Sequence, residues 1–258
     1  MLFLSHGSPM LALEACAARR FLQELGPTLP RPAAIVMFSA HHDAHGVEIT
    51  GAAAPPTIHD FGGFPRALYE IRYPAPGDPQ LAARCAALLG ADFADVRIDP
   101  ARGFDHGAWV PLYLMFPNAD VPVVQISIDS SAAPARHMRL GRALRELRDE
   151  RVLLIGSGGA THNLSLYFRA GELPSAPDWV EEFNEWVAAA LAARRFHDLE
   201  RYRHAAPYAV QNHPSVEHFL PIFPAVGATY DDEPGVRIHA SYDRGVLSLD
   251  AYAFGFDG

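Results

Sequence analysis

Thirteen histidines stand in this chain of 258 residues, and several lie where an apolar run gives way to Gly, Ser, Pro or Asp. His6 follows Met1–Leu4 in M-L-F-L-S-H-G-S-P, and His41 follows Ala34–Phe38 in F-S-A-H-H. His162 lies shortly after Val152–Ile155 in G-S-G-G-A-T-H-N-L. His106 sits in F-D-H-G-A-W-V-P-L, and His213 and His218 flank Glu217 in H-P-S-V-E-H-F-L-P. Neutral imidazole is the commonest side-chain metal ligand and suits zinc, iron, copper and nickel. With a reference pKa of about 6.5 it also moves protons near neutral pH. Imidazoles brought to one point would hold a divalent metal ion and leave another ring free for acid–base work. None of the spacings matches the zincin H-E-x-x-H or a C-x-x-C zinc site, so the fold, not one local motif, has to assemble such a centre. Gly156, Gly158 and Gly159 look like a phosphate loop only superficially, because no Lys-Ser/Thr follows. Ser8 lacks the G-x-S-x-G elbow of a hydrolase nucleophile.

The elements that must position these residues read as short apolar strands alternating with amphipathic helices. Strands are expected at Met1–Leu4, 33–38, 47–50, 121–128 and 152–155, with S-A-H-H breaking the second. Helices are expected at 10–25 (ending near Gly26-Pro27), 80–89, 133–148 and 178–192. The last carries Trp179, Phe183, Trp186, Val187 and Ala190 on one stripe, which reads as core packing. Residues 51–78 read as a long ordered loop with a short helix near 65–70. The closing V-R-I-H-A-S-Y-D-R-G-V-L-S-L-D-A-Y-A-F reads as two strands around a Tyr-Asp-Arg-Gly turn. The expected fold is a single α/β domain over 1–258. It is an α/β/α sandwich with a mixed central sheet and a C-terminal antiparallel hairpin. In open α/β sheets ligands bind outside the carboxyl ends of the strands, which is where His6, His41 and His162 fall.

Composition narrows the partners. A net charge of -9 and the absence of a clustered basic stripe exclude a phosphate backbone or an anionic membrane. The basic residues are interleaved with acids on surfaces such as 136–151. No apolar run approaches the ~20 residues of a membrane span, and the N-terminus has no basic leader region. Cys16 and Cys85 read as buried free thiols, in keeping with a reducing compartment, so the expected location is cytoplasmic. Oligomeric state is not legible.

Eight segments, in order along the chain, resemble the class III extradiol ring-cleaving dioxygenases, specifically their DOPA-dioxygenase-like branch. They are S-H-G-S-P-M (5–10), F-S-A-H (38–41), I-H-D-F-G-G-F-P (58–65), D-H-G-A-W-V-P-L (105–112), P-V-V-Q-I-S-I (122–128), G-S-G-G-A-T-H-N-L (156–164), H-P-S-V-E-H-F-L-P (213–221) and S-Y-D-R-G-V-L-S-L (241–249). The resemblance implies a non-haem enzyme that opens a catechol ring beside its two hydroxyls, with O2 as co-substrate and no organic cofactor. It implies His6, His41 and His218 as metal ligands, with His162 as a fourth ligand or as the acid–base residue and His106 second for that role. His106 and His213 would line the pocket, His59 would close over it, and Trp109, Phe61 and Phe64 stand as pocket walls or core. Arg66 and Arg244 are the cations near the motifs, and Arg66 is the first candidate to meet a substrate carboxylate. His42 departs from the aromatic residue of many relatives and stands as an alternative ligand or a supporting group; Glu217 stands as an alternative ligand beside His218. Iron(II) is implied for the reaction, with zinc able to occupy the same ligands. A zinc hydrolase on the same histidines and a non-catalytic metal-binding relative are the competing readings.

Overall fold

In the computed structural model, which describes residues 1–171 and 173–255, the apolar runs become strands. They are β1 (Leu2–Ser5), β2 (Ala34–Asp43), β3 (Val47–Thr50), β4 (Val96–Asp99), β5 (Val123–Ile128), β6 (Val152–Gly158), β7 (Gly235–His239), β8 (Tyr242–Asp243), β9 (Leu247–Ser248) and β10 (Ala251–Phe254). Eight of them form one mixed sheet in the order β4-β3-β5-β2-β6-β1-β10-β7. The central strands β5, β2, β6 and β1 are parallel, and β3 and β10 run antiparallel to their inner neighbours. Successive side chains of a strand point to opposite faces. Phe3, Val36, Phe38, Val124, Ile126 and Leu154 therefore enter one core, closed by helices that include Pro79–Gly90, Pro134–Leu144 and Asp178–Ala192. Leu2, Leu4, Ile35, Met37, Val123 and Ile155 enter the other, under Ala17–Thr28 and His106–Met115. Each such buried side chain contributes about 1.5–3 kcal/mol relative to exposure, which locks the register of the strands that end at the histidines.

The chain departs from the sequence reading in three places that matter. S-A-H-H does not end β2, which continues to Asp43, but the pairing with β5 shifts register there: Ser39 pairs with Ser127 and the next partner of β5, Ile128, pairs with Asp43. The segment 10–25 is not one helix. Pro9–Ala12 is a 3-10 turn capped by Ser8, and the α-helix Ala17–Thr28 runs through Gly26-Pro27. Gly26 serves packing there, since a Cβ would collide with the Met115 backbone. Cys85 is buried as expected, but Cys16 is exposed, with its sulfur accepting from the Arg19 N–H at the helix start. The terminal hairpin is present, β7 pairing β10, with the smaller β8–β9 pair inside it. Arg244 (φ 50°) and Gly245 (φ 73°) make its tight turn.

Candidate metal centre

The carboxyl ends of β1, β2 and β6 open on one crevice, and each delivers polar side chains into it. His6 leaves β1 with its N–H bonded to the Gly158 carbonyl at 3.0 Å. His41 lies on β2 itself. The glycines of β6 admit the His218 segment: a Cβ at Gly158 would collide with the His218 carbonyl oxygen, and one at Gly156 with that of Pro221. Gly159 N–H then bonds His218 O at 2.8 Å. His106 is the first residue of its helix, whose N-cap Asp105 is fully buried and accepts from Ser39 Oγ at 2.6 Å and from Gln125 Nε2.

One ring nitrogen from each of His6, His41 and His218 lies within 4.8 Å of the others. Hydrogen-bond partners assign the protons on these rings. Ser157 Oγ gives its proton to the Gly107 carbonyl, so at His6 Nδ1, 3.0 Å away, it accepts. Glu217 Oε1 accepts from His218 Nδ1 at 3.0 Å, and Asp60 Oδ2 faces His41 Nδ1 at 3.5 Å. The rings of His6 and His218 thus carry the proton on Nδ1 and leave Nε2 as a lone pair, and the Asp60 carboxylate favours the same tautomer at His41. His6 Nε2 and His41 Nε2 stand 3.0 Å apart, and with Nδ1–H on both rings two lone pairs face each other there. Two such lone pairs repel, and a cation removes the repulsion. Imidazole nitrogens each about 2.1 Å from one metal, at a right angle, come about 3.0 Å apart, so the donor set fits a divalent ion. Burial, reinforced by the neighbouring rings, pushes the pKa of His6 and His218 well below the ordinary value. His41 is lowered to about 4, chiefly by burial. The ligand-competent neutral forms therefore persist at neutral pH.

Two further histidines flank the triad, each with a carboxylate nearby. His106 gives Asp60 both its backbone N–H and its Nδ1–H, each at 2.9 Å. Burial alone would raise the Asp60 pKa, but the bonds from His106 and the nearby His41 ring outweigh it and hold the carboxyl at about 2. His162 lies parallel to His218, with centroids 3.4 Å apart. Its pKa falls to about 4 through burial, against the opposing pull of Glu217.

His41 and His218 of this centre line a cavity of about 370 Å³ whose walls include Met10, Phe61, Phe64, Tyr167, Phe168, Leu247 and Arg244. His106 and His162 reach it, as the sequence reading expects; four other assignments need correction. His213 is fully buried behind the site, packed on Phe183 and Phe219, and its Nε2–H donates to the Ala160 carbonyl at 2.9 Å. Trp109 is also fully buried, its indole N–H donating to Ile58 O, and His59 donates to Ile71 O. Both anchor the loop that carries Asp60 and Phe61 and neither lines the cavity. Arg66 points to solvent and pairs with Glu70 one helical turn on, at 2.7 Å. His42 takes no part in the centre: it is buried away from the cavity and its Nε2 bonds Glu48 at 2.9 Å. Asp60, Ser157 and Tyr167 escaped the sequence reading. A buried serine between two glycines at a strand end and an acid beside His59 were the available signals.

The family model described as the catalytic LigB subunit of aromatic ring-opening dioxygenase matches residues 1–254. A protein named 4,5-DOPA dioxygenase extradiol from Escherichia coli K12 is 45% identical over 96% of this chain and 92% of its own length. A Beta vulgaris protein of the same name is 39% identical over 98% of this chain and 95% of its own. A crystal structure of an uncharacterized Escherichia coli K12 protein superposes with a TM-score of 0.81 at 38% identity, covering 97% of each chain.

Proposed function

Because the chain belongs to the LigB family of class III extradiol, aromatic ring-opening dioxygenases, we propose that it opens a catechol of the DOPA type beside its two hydroxyls, on one metal ion held by His6, His41 and His218. The observation that carries this reading is the meeting of one ring nitrogen from each of His6, His41 and His218 beside an aromatic-walled cavity that His41 and His218 line. Iron(II) suits the ligands and, when bound, supplies a centre that takes both catechol oxygens and O2 and passes electrons between them, which zinc in the same ligands does not.

The chain's own residues do the rest. Phe61, Phe64 and Tyr167 give the flat ring apolar walls. A catechol must lose protons as it binds, and an acceptor has to stand beside it. His162 has that role: it is neutral at pH 7, it faces the cavity, and its ring makes no hydrogen bond among the described residues. Once protonated it is a strong enough acid to return the proton as the ring opens. His106 is held differently. With Nδ1–H committed to Asp60, its orientation is fixed and it presents Nε2 to the same space. It fits a fixed partner for a substrate or dioxygen oxygen.

The test is anaerobic loading with Fe(II), then oxygen uptake and visible absorbance on adding DOPA, 3,4-dihydroxyphenylpropionate or 4-methylcatechol. Oxygen consumption coupled to a ring-opened chromophore, lost in His6→Ala and His218→Ala, is expected. No uptake across the panel at confirmed iron occupancy overturns the reading.

A further inference from the structure

We infer that Arg244 selects the substrate by its side chain, binding a carboxylate on the catechol's tail; the inference rests on the catechol reading above. Among the described residues Arg244 is the one arginine on the cavity wall, and the chain has no lysine. Its guanidinium lies over the Tyr167 ring, 4.8 Å from the centroid. The neighbouring acid Asp243, which also lines the cavity, accepts the Tyr167 O–H at Oδ2 (2.9 Å) rather than pairing with Arg244. No carboxylate lies within ion-pair distance of Arg244 among the described residues, whereas surface arginines such as Arg31, Arg84, Arg97 and Arg136 all have one.

The backbone makes this placement deliberate. Arg244 occupies the left-handed region, uncommon for a residue with a Cβ, in a turn that Gly245 completes. A turn so tight fixes the direction in which the side chain leaves it. The walls around it are largely apolar, so an unpaired, planar donor fork is the strongest point of recognition there, and a carboxylate matches it in two parallel bonds. Glu14 and Asp243, on the same wall, leave it net negative rather than broadly positive. Selection therefore comes from contact with the guanidinium and not from a general attractive field.

The test is calorimetric titration of the zinc-loaded full chain with 3,4-dihydroxyphenylpropionate and with uncharged 4-ethylcatechol. Wild type should prefer the carboxylate by about tenfold, a typical yield for one charge-assisted pair near solvent. In Arg244→Gln that ratio should fall to about one, and Arg244→Lys should recover part of it. Arg244→Asn supplies a second neutral variant that tolerates the turn's backbone, should the glutamine disturb folding. Ratios equal in wild type and in either neutral variant overturn the inference. Preserved discrimination by a protein that consumes no oxygen with iron would leave the Arg244 assignment standing and remove the dioxygenase reading. Turnover without discrimination would do the reverse, and failure of both catechols to bind would remove both.

Discussion

The two flanks of the histidine triad use the same residue types in opposite ways. On one side a carboxylate clamps the flanking histidine: Asp60 takes two bonds from His106, which also begins a helix capped by the buried Asp105. On the other, the carboxylate holds the ligand: Glu217 takes the Nδ1–H of His218, and the flanking His162 is left stacked but unbonded among the described residues. A ring fixed at one nitrogen is suited to positioning. A ring with neither nitrogen committed is suited to moving a proton. The difference separates the roles more sharply than the residue types do.

If the triad is the metal centre, both flanks depend on it, and its removal has the largest effect. His218→Ala or His6→Ala should lose bound metal on dialysis, measured by elemental analysis. Activity should fall by more than the roughly 10–100-fold that changes around a ligand cost. Metal retained at wild-type stoichiometry in both variants would show that the centre lies elsewhere. Next comes His162→Gln, which should keep its metal yet lose about 10²–10⁴ in kcat, the usual contribution of a positioned acid–base group. If His106→Gln shows that loss and His162→Gln does not, the comparison is inverted.

Metal-free protein gives a thermodynamic reading of the same rings. His41 and His162 have folded pKa values of about 4 because burial disfavours their charged forms, and so does His137, remote from the centre. His137 Nε2 also accepts the Asp129 N–H at 3.1 Å, a bond that a proton on that nitrogen would break. The unfolded chain, with histidines near 6.5, takes up protons first as pH falls. Stability from these groups is therefore complete above about pH 6.5 and drains away towards pH 4, by up to about 3 kcal/mol for each group. Denaturant midpoints measured from pH 7 to pH 4 check the slope, which should be shallower in His162→Gln. An unchanged slope would mean that the free flank is not held neutral by the fold.

What the sequence made legible follows from local physics. Strand–helix alternation predicts the layered fold, and the strand ends at His6, His41 and His162 point to the crevice, because apolar runs and their polar breaks are local signals. The helix His106–Met115 was missed, since nearly every residue in it is buried and no polar face gives it a period. His213 and Trp109 were drawn into the pocket by belonging to motifs, while the structure spends them on holding backbone carbonyls. Sequence put Arg66 ahead of Arg244 as the cation for a substrate carboxylate, whereas Arg66 faces solvent and Arg244 lines the cavity. Only the hairpin turn, returning from the far edge of the sheet, shows which of the two reaches the cavity. Asp60 is the same case: its partner His106 is 46 residues away.

The smallest expected effects bear on the comparison most directly. Asp60→Asn leaves the triad's ligand atoms in place but weakens the acceptor behind His106. It should lower kcat/KM by roughly 10–100-fold at full metal occupancy. Glu217→Gln does the converse: it weakens the acceptor behind a ligand, so metal affinity should fall by about the same factor, with kcat largely restored by excess Fe(II). The contrast is read by titrating each variant with metal before assaying it. If both variants are rescued by added metal, Asp60 serves the ligand His41 more than His106, and the two flanks are alike. If neither is rescued, Glu217 acts on the proton as well as on the ligand, and His162 is not free after all. Rescue of Glu217→Gln alone would establish one carboxylate for holding the metal and one for aiming a histidine.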